Sequence, residues 1–491
     1  MRRAARALFG PARRAAPRLA VGPSVAQRTV YVALALATVA AAALRLPFLS
    51  HQSLWFDEVF TRAVISRSTL TGVWHQLEAT ESTPPLYYVI VWVTGGRSAA
   101  AMRLPSALAS IVAVPLAYLA LRRLVGQRPA LAASAILAVS PILVSYATDA
   151  RAYSLLVLTG VLSVWGFSAA LEHPTRRRYA GWGAASVACL WTHYFGAFLV
   201  AAEAVVLLAL RPAARRITLG STALIAVCAA PLIPLLARQT GDERAAFIAG
   251  ISLRSRLLTT ARQFAMGPNV PRTWLEAAGL AIACAGIAVG LGLAVRSGPA
   301  TRALLALAAL VLLVPLILAI AGVEDRFYVR NMVALVPLAA ALAAPALLGL
   351  GAAPLALYLA LAALASVWVA TDWRYEQPDW RGAVHRTQAI DPGAAFIAVG
   401  QYSGVVARVY LGRRPVSQTS SQEAWVAVPP IRASGHRGLG PAATAPGAPA
   451  GLPGFVPIRV TIFHGFRLEL LQASRPQPIA RLPGATIFAP G

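Results

Sequence analysis

Long apolar segments restrict the fold of this chain more than any other feature of its sequence. A helix needs roughly 20 mainly apolar residues to cross a bilayer, and eleven segments approach or reach that length. The stretch 84–95 is shorter, begins with two prolines, and is predicted to be an interfacial or re-entrant piece. The eleven predicted spans are 29–48, 104–121, 129–147, 152–171, 179–193, 195–210, 217–236, 273–295, 303–322, 331–350 and 353–370.

Composition agrees with a polytopic membrane protein and argues against a soluble enzyme. The chain is 58% hydrophobic and only 13% charged, with a mean hydropathy of +0.64. Its formal net charge is +26, and all 44 basic residues are arginine. These arginines stand in short loops rather than in a soluble basic module, so nucleic acid is excluded as a partner and a lipid bilayer is expected. Cys189, Cys228 and Cys284 lie inside apolar segments and offer neither a disulfide framework nor zinc spacing.

The placement of the arginines predicts the orientation in the membrane. Cytosolic loops carry the excess of basic residues, and alternate loops here hold groups of arginine while the opposite loops hold most of the acids. The N-terminus is therefore predicted to be cytosolic. Residues 1–28 are interpreted as a disordered, arginine-rich cytosolic tail, with a transit peptide as the alternative. The arginine groups are Arg122, Arg123 and Arg128; Arg176, Arg177 and Arg178; Arg211, Arg215 and Arg216; and Arg296 and Arg302.

The last 120 or so residues are more polar than the predicted spans and lack their long apolar segments. An odd number of spans places residues 371–491 on the outer side, and their polar opening, "TDWRYEQPDWRGAVHRTQ", predicts an amphipathic helix. A Gly/Pro/Ala-rich loop, 435–454, interrupts the later part. Short runs typical of strands are "AAFIAVG", "VVARVYL", "AWVAV", "RVTIFHGF" and "ATIFAP". The sequence thus predicts an all-α polytopic membrane domain, 29–370, followed by a small extracytoplasmic α/β domain.

Two adjacent acids open the first outer loop, which spans 49–103. In "LWFDEVF" a tryptophan and a phenylalanine precede Asp57 and Glu58 and partly desolvate them. Long ordered loops tend to be functional, and a desolvated carboxylate can serve as a general base. The alternative is an interfacial helix with ordinary solvated acids. Tyr87, later in the same loop, is a further candidate for the site.

The second outer loop is tight and holds Asp149, Arg151 and Tyr153 in "SYATDARAYSLL". One interpretation is a surface ion pair between Asp149 and Arg151. The other is functional: the planar guanidinium of Arg151 holds a phosphate, while Asp149 positions an acceptor or a divalent metal ion. Tyr153 follows directly and is a further candidate.

Three further polar positions lie at or near predicted membrane boundaries. His193, in "WTHYFG", is either a site residue or an interfacial anchor. Arg326 and Arg330, in "GVEDRFYVRN", are four residues apart, which predicts one face of a helix and a clamp for a lipid phosphate. The alternative is a helix end paired with the two preceding acids. Glu203 lies deep in an apolar span and is expected to face the protein interior or a cavity.

Several short motifs, taken in order, resemble bacterial glycosyltransferases of the GT-C fold. They are "WFDE", "TPPLYY", "RLPSALAS", "RRLVGQRPALAASAIL", "SYATDARAYSLL", "THYFGAF" and "DRFYVRNMVALVPL". The likeness is to the family 39-like group, which includes protein O-mannosyltransferases, aminoarabinose transferases and lipopolysaccharide sugar transferases. "PDWRGAV" and "IAVGQYSGVVARVYL" resemble the outer tail of mannosyltransferase-like bacterial members.

The resemblance implies both an activity and roles for individual residues. It implies transfer of a hexose or pentose, mannose among them, from a polyprenyl-phosphate donor to an extracytoplasmic glycan, lipid or protein acceptor. The family's acid of the first outer loop is the catalytic base, and Asp57, followed by Glu58, occupies that position. Its second acid, which supports catalysis or binds metal, corresponds to Asp149. Arg151, Arg326 and Arg330 are the residues predicted to hold the donor phosphate.

Two other classes of membrane protein compete with this interpretation. A sugar or lipid transporter or flippase tends to place ionisable groups along a path through the bilayer and often shows internal repeats. Here the acids and the arginines of the candidate site crowd one face, and no repeat is visible in the sequence. A structural membrane protein is the third possibility. The expectation is an enzyme of the bacterial plasma membrane.

Overall fold

The structure is a computed structural model that describes residues 25–240, 246–270, 272–323, 325–375, 377–400, 402–430, 452–480 and 482–491. Most of the predicted N-terminal tail and most of the predicted loop 435–454 lie outside these residues. So do three of the acids predicted for the outer loops, Asp242, Glu243 and Glu324.

Helices account for most of the described residues between Val25 and Thr371. Short 3₁₀ segments cover Leu46–Phe48, Pro212–Ala214, Val329–Leu335 and Trp373–Tyr375. The α-helices of the described residues are α1 (Val25–Ala43), α2 (Phe56–Ile65), α3 (Leu70–Thr80), α4 (Leu86–Thr94), α5 (Ala99–Val125), α6 (Gln127–Val139), α7 (Pro141–Ala147), α8 (Tyr153–Glu172), α9 (Arg176–Thr192), α10 (Gly196–Leu210), α11 (Arg215–Ala229), α12 (Leu232–Thr240), α13 (Ala246–Ala249), α14 (Leu253–Met266), α15 (Thr273–Arg296), α16 (Pro299–Ile320), α17 (Val336–Gly349), α18 (Ala352–Thr371), α19 (Trp380–Ile390) and α20 (Ser403–Leu411).

Every predicted span coincides with helical residues, which confirms the predicted fold class. Within the described residues, seven helical segments are long and apolar enough to cross a membrane alone. Two bent pairs, α6 with α7 at 53° and α10 with the segment through α11 at 114°, raise this number to nine if each pair is one span. The difference from eleven arises where α9, α10 and α11 have only 17, 15 and 15 residues. The stretch 84–95 does not cross, because it forms the short helix α4.

The arginine-rich loops meet at one end of the helix bundle. Arg123 and Arg178 both pair with Glu172, at 3.1 and 3.6 Å, and Arg211 donates to the carbonyl of Leu171. These contacts place three of the predicted arginine groups together. The acids Asp57 and Asp149 lie at the opposite end of the bundle, the site end.

A mixed six-stranded sheet follows α18. The order is β2-β6-β1-β3-β5-β4, and only β1 and β3 run parallel. Phe396 and Ala398 of β1 face one side, while Ala395 and Ile397 face the other, as the two-residue period of a strand requires. The strands are β1 (Ala395–Val399), β2 (Pro415–Val416), β3 (Gln418–Val428), β4 (Val456–Phe463), β5 (Phe466–Ala480) and β6 (Ala485–Phe488).

One of the predicted strands is a helix. "VVARVYL" forms most of α20, whose buried side chains include Val406 and Ala407. Its β-branched residues favour a strand locally. However, α20 lies in the connection between the parallel strands β1 and β3 and packs on β1 and β6. A parallel pair needs such a crossover, which is usually a helix. Tertiary packing therefore overrides the local preference.

The sheet domain and the first loop share a single apolar core. Phe396 and Trp425 of the sheet belong to the same buried cluster as Val59 of α2 and Tyr88 of α4. The domain therefore rests directly on the loop that carries Asp57 and Glu58.

Candidate active site at the end of the helix bundle

Asp57 and Glu58 occupy the first turn of α2, where the sequence placed them in a loop. Trp55 precedes the helix in an extended conformation as its N-cap, and its backbone N–H donates to Glu58 Oε2 at 3.3 Å. This return contact is half of a capping box. Acids in a first helical turn also interact favourably with the helix dipole. Asp57 and Glu58 are both buried.

Glu58 is enclosed by a guanidinium group rather than open to a substrate. Arg103 of α5 donates from Nε to Glu58 Oε1 at 2.7 Å and from Nη2 to Oε2 at 2.6 Å. The backbone N–H of Ala150 also donates to Oε1, at 2.9 Å. Since Glu58 is 0% exposed, the expectation that it acts directly in catalysis finds no support in this geometry. Its hydrogen bonds instead connect α2 to α5 and to the 148–152 turn.

Arg103 uses all five of its N–H donors. Besides the two bonds to Glu58, it donates to the carbonyls of Leu49, Gln52 and Ser53 at 2.9–3.0 Å. Arg103 belongs to the motif "RLPSALAS" but was not among the predicted site residues. Arg103 directly precedes the predicted span 104–121, and a single arginine at the end of a span is uninformative until its neighbours in space are known.

Asp149 lies in the turn between α7 and α8 and faces Trp55. The indole Nε1–H of Trp55 donates to Asp149 Oδ1 at 2.9 Å. Burial raises the pKa of Asp149 to about 8, and the neighbouring Glu58 carboxylate adds to the rise. Because a raised pKa keeps the proton on, Asp149 is mostly protonated at neutral pH.

Arg151 does not pair with Asp149, so the predicted surface ion pair between them is wrong. It is buried and donates from Nη1 to Glu81 Oε2 at 2.7 Å, while Tyr88 donates to the same oxygen at 2.8 Å. A weaker contact, at 3.3 Å, runs from Arg151 Nη1 to the carbonyl of Asp57. Arg151 thus links Glu81 to α2. Glu81 is a second structural acid that was not among the predicted site residues.

Arg326 and Arg330 do not lie one turn apart on a helix, contrary to the prediction. Arg326 belongs to a non-helical segment, and only Arg330 is part of the 3₁₀ segment that begins at Val329. Arg330 Nη1 lies 3.6 Å from Asp57 Oδ2. The nearby acid Asp325 pairs instead with Arg256.

A cavity of about 370 Å³ opens beside the Asp57–Arg330 pair. Arg330, Asp149 and Trp55 line it, together with the aromatic rings of Tyr146 and Tyr153. Further lining comes from α14, the end of α18 and the segment after it. The cavity therefore brings together the Arg330 guanidinium, the Asp149 carboxyl group and several aromatic rings at the site end, with Asp57 behind Arg330.

The three remaining site candidates separate into two groups. Tyr153 lines the cavity, with its ring 4.7 Å from that of Tyr146, and His193 packs behind it at 6.0 Å. His193 is nearly buried, and its Nδ1 accepts from the backbone N–H of Phe195 at 3.2 Å. Tyr87 is fully buried and donates to the carbonyl of Met102. Tyr87 is therefore a packing residue of the first loop.

The predicted metal role of Asp149 finds no set of ligands. Among the residues that the structure describes, no three His, Cys, Asp or Glu side chains group as metal ligands. Asp149 accepts from an indole and Glu58 from a guanidinium, so neither carboxyl group is arranged as a ligand.

Glu203 faces the protein interior, one of the two predicted alternatives. Its Oε2 accepts from Trp182 Nε1–H at 2.8 Å and contacts the Ser163 hydroxyl at 2.5 Å. It lies between α8, α9 and α10 and does not line the cavity.

The fold and this cavity define a class of protein. Apolar helices form a bundle, a small α/β domain packs on one end of it, and a charged, aromatic cavity lies at that same end. The chain is thus a multi-pass membrane protein with a polar site at a bundle end.

A family comparison narrows the class. Residues 82–236 match the family model described as dolichyl-phosphate-mannose-protein mannosyltransferase. The match covers the later part of the first loop and the Asp149 turn, and it confirms the resemblance of this part of the chain to glycosyltransferases of the GT-C fold. No curated protein sequence is significantly similar to the chain.

Two solved structures have a partial likeness to this chain. ArnT from Cupriavidus metallidurans bound to undecaprenyl phosphate is 17% identical, with a TM-score of 0.46 over 79% of this chain and 75% of that chain. AglB, an oligosaccharyltransferase from Archaeoglobus fulgidus in complex with an inhibitory peptide and a dolichol-phosphate, is 14% identical. Its TM-score is 0.44 over 74% of this chain and 58% of that chain.

Proposed function

We propose that this protein transfers a sugar from a polyprenyl-phosphate donor to an extracytoplasmic acceptor of the cell envelope, with Asp57 as the catalytic base. The observation that carries the proposal is the Asp57–Arg330 pair, 3.6 Å apart, beside the cavity at the site end. The family match supports a lipid-phosphate donor and makes mannose the first sugar to test.

The chemistry needs a base for the proton of the acceptor hydroxyl and a cation for the departing phosphate. The acceptor oxygen attacks the anomeric carbon as Asp57 takes the hydroxyl proton, and the bond from that carbon to the phosphate oxygen breaks. The bonding pair leaves with the polyprenyl phosphate, whose charge Arg330 stabilises. Arg330 is suited to this task because a guanidinium can hold two phosphate oxygens at once.

We propose that the site end faces away from the cytosol. The arginine-rich loops at the opposite end support this orientation, because basic loops remain on the cytosolic side. The donor lipid then reaches Asp57 within the bilayer while the acceptor arrives from outside. We keep the domain boundary near residue 371 as part of the proposal, supported by the end of α18 at Thr371.

A transfer assay on the purified protein tests the proposed function. Radiolabelled polyprenyl-phosphate mannose, glucose and arabinose are incubated with the protein and a membrane-envelope extract as acceptor. We expect label to move from at least one donor into the extract. Donor movement between leaflets of proteoliposomes without any transfer would instead support a flippase.

Arg330→Lys is expected to raise the KM for the donor about tenfold. Lysine keeps the charge but loses the planar fork that holds a phosphate through two hydrogen bonds. Initial rates against donor concentration measure the effect. Arg326→Lys serves as the comparison, because Arg326 does not line the cavity; an equal effect of both variants would restore the predicted two-arginine clamp.

A further inference from the structure

We propose that three glutamine side chains, Gln52, Gln263 and Gln377, form a sugar-binding subsite that selects a neutral, hydroxyl-rich sugar over a cationic amino sugar. The inference rests on the proposed function and deepens it. All three line the cavity beside Arg330, and all three are half-buried. They come from the turn after α1, from α14 and from the segment after α18.

The three amides have capacity for a ligand. Within the described parts of the chain, no hydrogen bond from protein groups occupies their side chains. An amide offers a carbonyl acceptor and two N–H donors, so it can both accept from and donate to a sugar hydroxyl. A site built to hydrogen-bond a hydroxyl rejects analogues that lack it, because the site's own polar groups then remain unpaired.

The backbone on which these amides stand is held in place. Asn269 Nδ2 donates to the carbonyl of Tyr375 at 3.1 Å, which ties the segment of Gln377 to the region after α14. The carbonyl of Gln52 accepts from Arg103 Nη1 at 3.0 Å. The amides therefore belong to fixed walls of the cavity.

An amino sugar finds a poor partner in this cavity. Among the described residues that line it, Asp149 alone has a carboxyl group, and that group already accepts from Trp55. The raised pKa of Asp149 leaves it mostly protonated at neutral pH, and a neutral carboxyl attracts an ammonium group only weakly. The charge of Arg330 at the same cavity repels it.

The test compares two donors on the purified full-length protein. Polyprenyl-phosphate mannose carries a neutral sugar, and polyprenyl-phosphate 4-amino-4-deoxyarabinose carries a cationic one. We expect the wild type to prefer the neutral donor. In the double variant Gln263→Leu with Gln377→Leu, we expect the KM for polyprenyl-phosphate mannose to rise about tenfold or more, with a smaller change in kcat. Gln263→Glu should shift the preference toward the amino sugar. Gln76→Leu is the matched control, because Gln76 is a half-buried glutamine that accepts from Arg67 and does not line the cavity.

Three results would count against the subsite. A wild-type preference for the amino sugar, or an unchanged KM in the double variant, overturns the subsite while leaving the transferase function standing. Failure of the wild type to transfer either sugar overturns the proposed function, and the subsite with it.

A second inference comes from a separate set of contacts: we infer that the C-terminal domain positions Asp57 by holding the turn that leads into α2. Arg381 of α19 donates to the carbonyls of Ser50 and His51 at 3.0 and 2.7 Å. The backbone N–H of Leu54 donates to the hydroxyl of Tyr410 on α20 at 2.6 Å. These groups of the turn have no helix or strand of their own to pair with.

Side chains reinforce the same junction. The Ser53 hydroxyl donates to Asp379 Oδ1 at 2.7 Å and accepts from the backbone N–H of Arg381 at 3.0 Å. The ring of Phe56, one residue before Asp57, stacks on Tyr402 with centroids 4.3 Å apart. Arg103 holds the turn from the membrane side and the C-terminal domain holds it from the other, so the first turn of α2 is fixed between them.

The positioning role predicts a change in turnover rather than in binding. Arg381→Gln combined with Tyr410→Phe should lower kcat about tenfold or more with little change in the KM for the donor, since small misplacements of a catalytic group are costly. Arg386→Gln is the control, because Arg386 lies on the same helix but over the ring of Phe463. Arg381→Lys should restore part of kcat, since it can still donate to a carbonyl.

The thermal midpoint of each variant is measured in parallel. A fall in kcat at an unchanged midpoint, with partial rescue by Arg381→Lys, supports positioning. Unchanged kcat in the double variant overturns it, as does a fall in kcat that only follows loss of folded protein. Absence of transfer by the wild type overturns the proposed function on which this inference also rests.

Discussion

Asp57→Asn is expected to lower the rate of sugar transfer at least a hundredfold. Asparagine has nearly the same shape as aspartate but cannot take the acceptor's proton, and general-base catalysis contributes typically about 10²–10⁴-fold. The rival acid, Asp149, is less suited to the role, because burial raises its pKa to about 8 and keeps it protonated at neutral pH. Asp57 instead lies 3.6 Å from the Arg330 guanidinium.

Single-turnover rates on purified protein measure this effect, with thermal midpoints matched to the wild type so that misfolding is not taken for lost chemistry. Glu78→Gln is the control, since Glu78 is an acid of the same loop that pairs with Arg238 and does not line the cavity. Near wild-type turnover in Asp57→Asn, together with loss of activity in Asp149→Asn, would assign the base to the second loop.

Glu58→Gln is expected to destabilise the protein strongly, although Glu58 stands next to the proposed base. The change leaves the Arg103 guanidinium buried without a counter-charge, and removal of one partner from a buried ion pair costs about 3–5 kcal/mol. We expect a clearly lower thermal midpoint in detergent and a smaller yield of folded protein. We therefore propose a structural role for Glu58, where the sequence predicted a role in catalysis.

A double-mutant cycle separates the two roles of Glu58. Arg103→Gln and the combined variant Glu58→Gln with Arg103→Gln complete the cycle, and the coupling between the two sites should be large and favourable. The matched control is Glu172→Gln, because its partners Arg123 and Arg178 are partly exposed and exposed pairs contribute little. A normal midpoint with a raised KM for the acceptor would return Glu58 to substrate contact.

The membrane domain could be predicted from the sequence almost helix by helix. The length of an apolar segment can be counted directly in the sequence, and the thickness of the bilayer sets the length that a spanning helix needs. The short helices α9, α10 and α11 are where this rule is least certain, because their packing against neighbouring helices decides their tilt and ends. In the C-terminal domain, "AAFIAVG" and "ATIFAP" were correctly predicted as β1 and β6, while α20 was not.

The candidate site was predictable only in part. Asp57, Asp149 and Arg330 were selected from the sequence and lie together at the cavity or beside it. Arg151 was selected too, but its partner is Glu81, which no spacing rule connects to it across the chain. Arg103 and the three cavity glutamines were not selected, because a single arginine or glutamine is uninformative until its neighbours in space are known.

The sequence by itself determined that this is a multi-pass membrane protein with its acids at one end of the bundle and its arginine-rich loops at the other. The reason is that the length of an apolar segment decides whether it can span the bilayer, and the charge of a short loop decides on which side it remains. Only the tertiary structure decided which of the two adjacent acids lies against Arg330, which lines the cavity. Asp57 and Glu58 are chemically alike and share one helical turn, but consecutive positions on a helix point about 100° apart. Glu58 consequently meets Arg103 in the protein interior, while Asp57 meets Arg330 at the cavity.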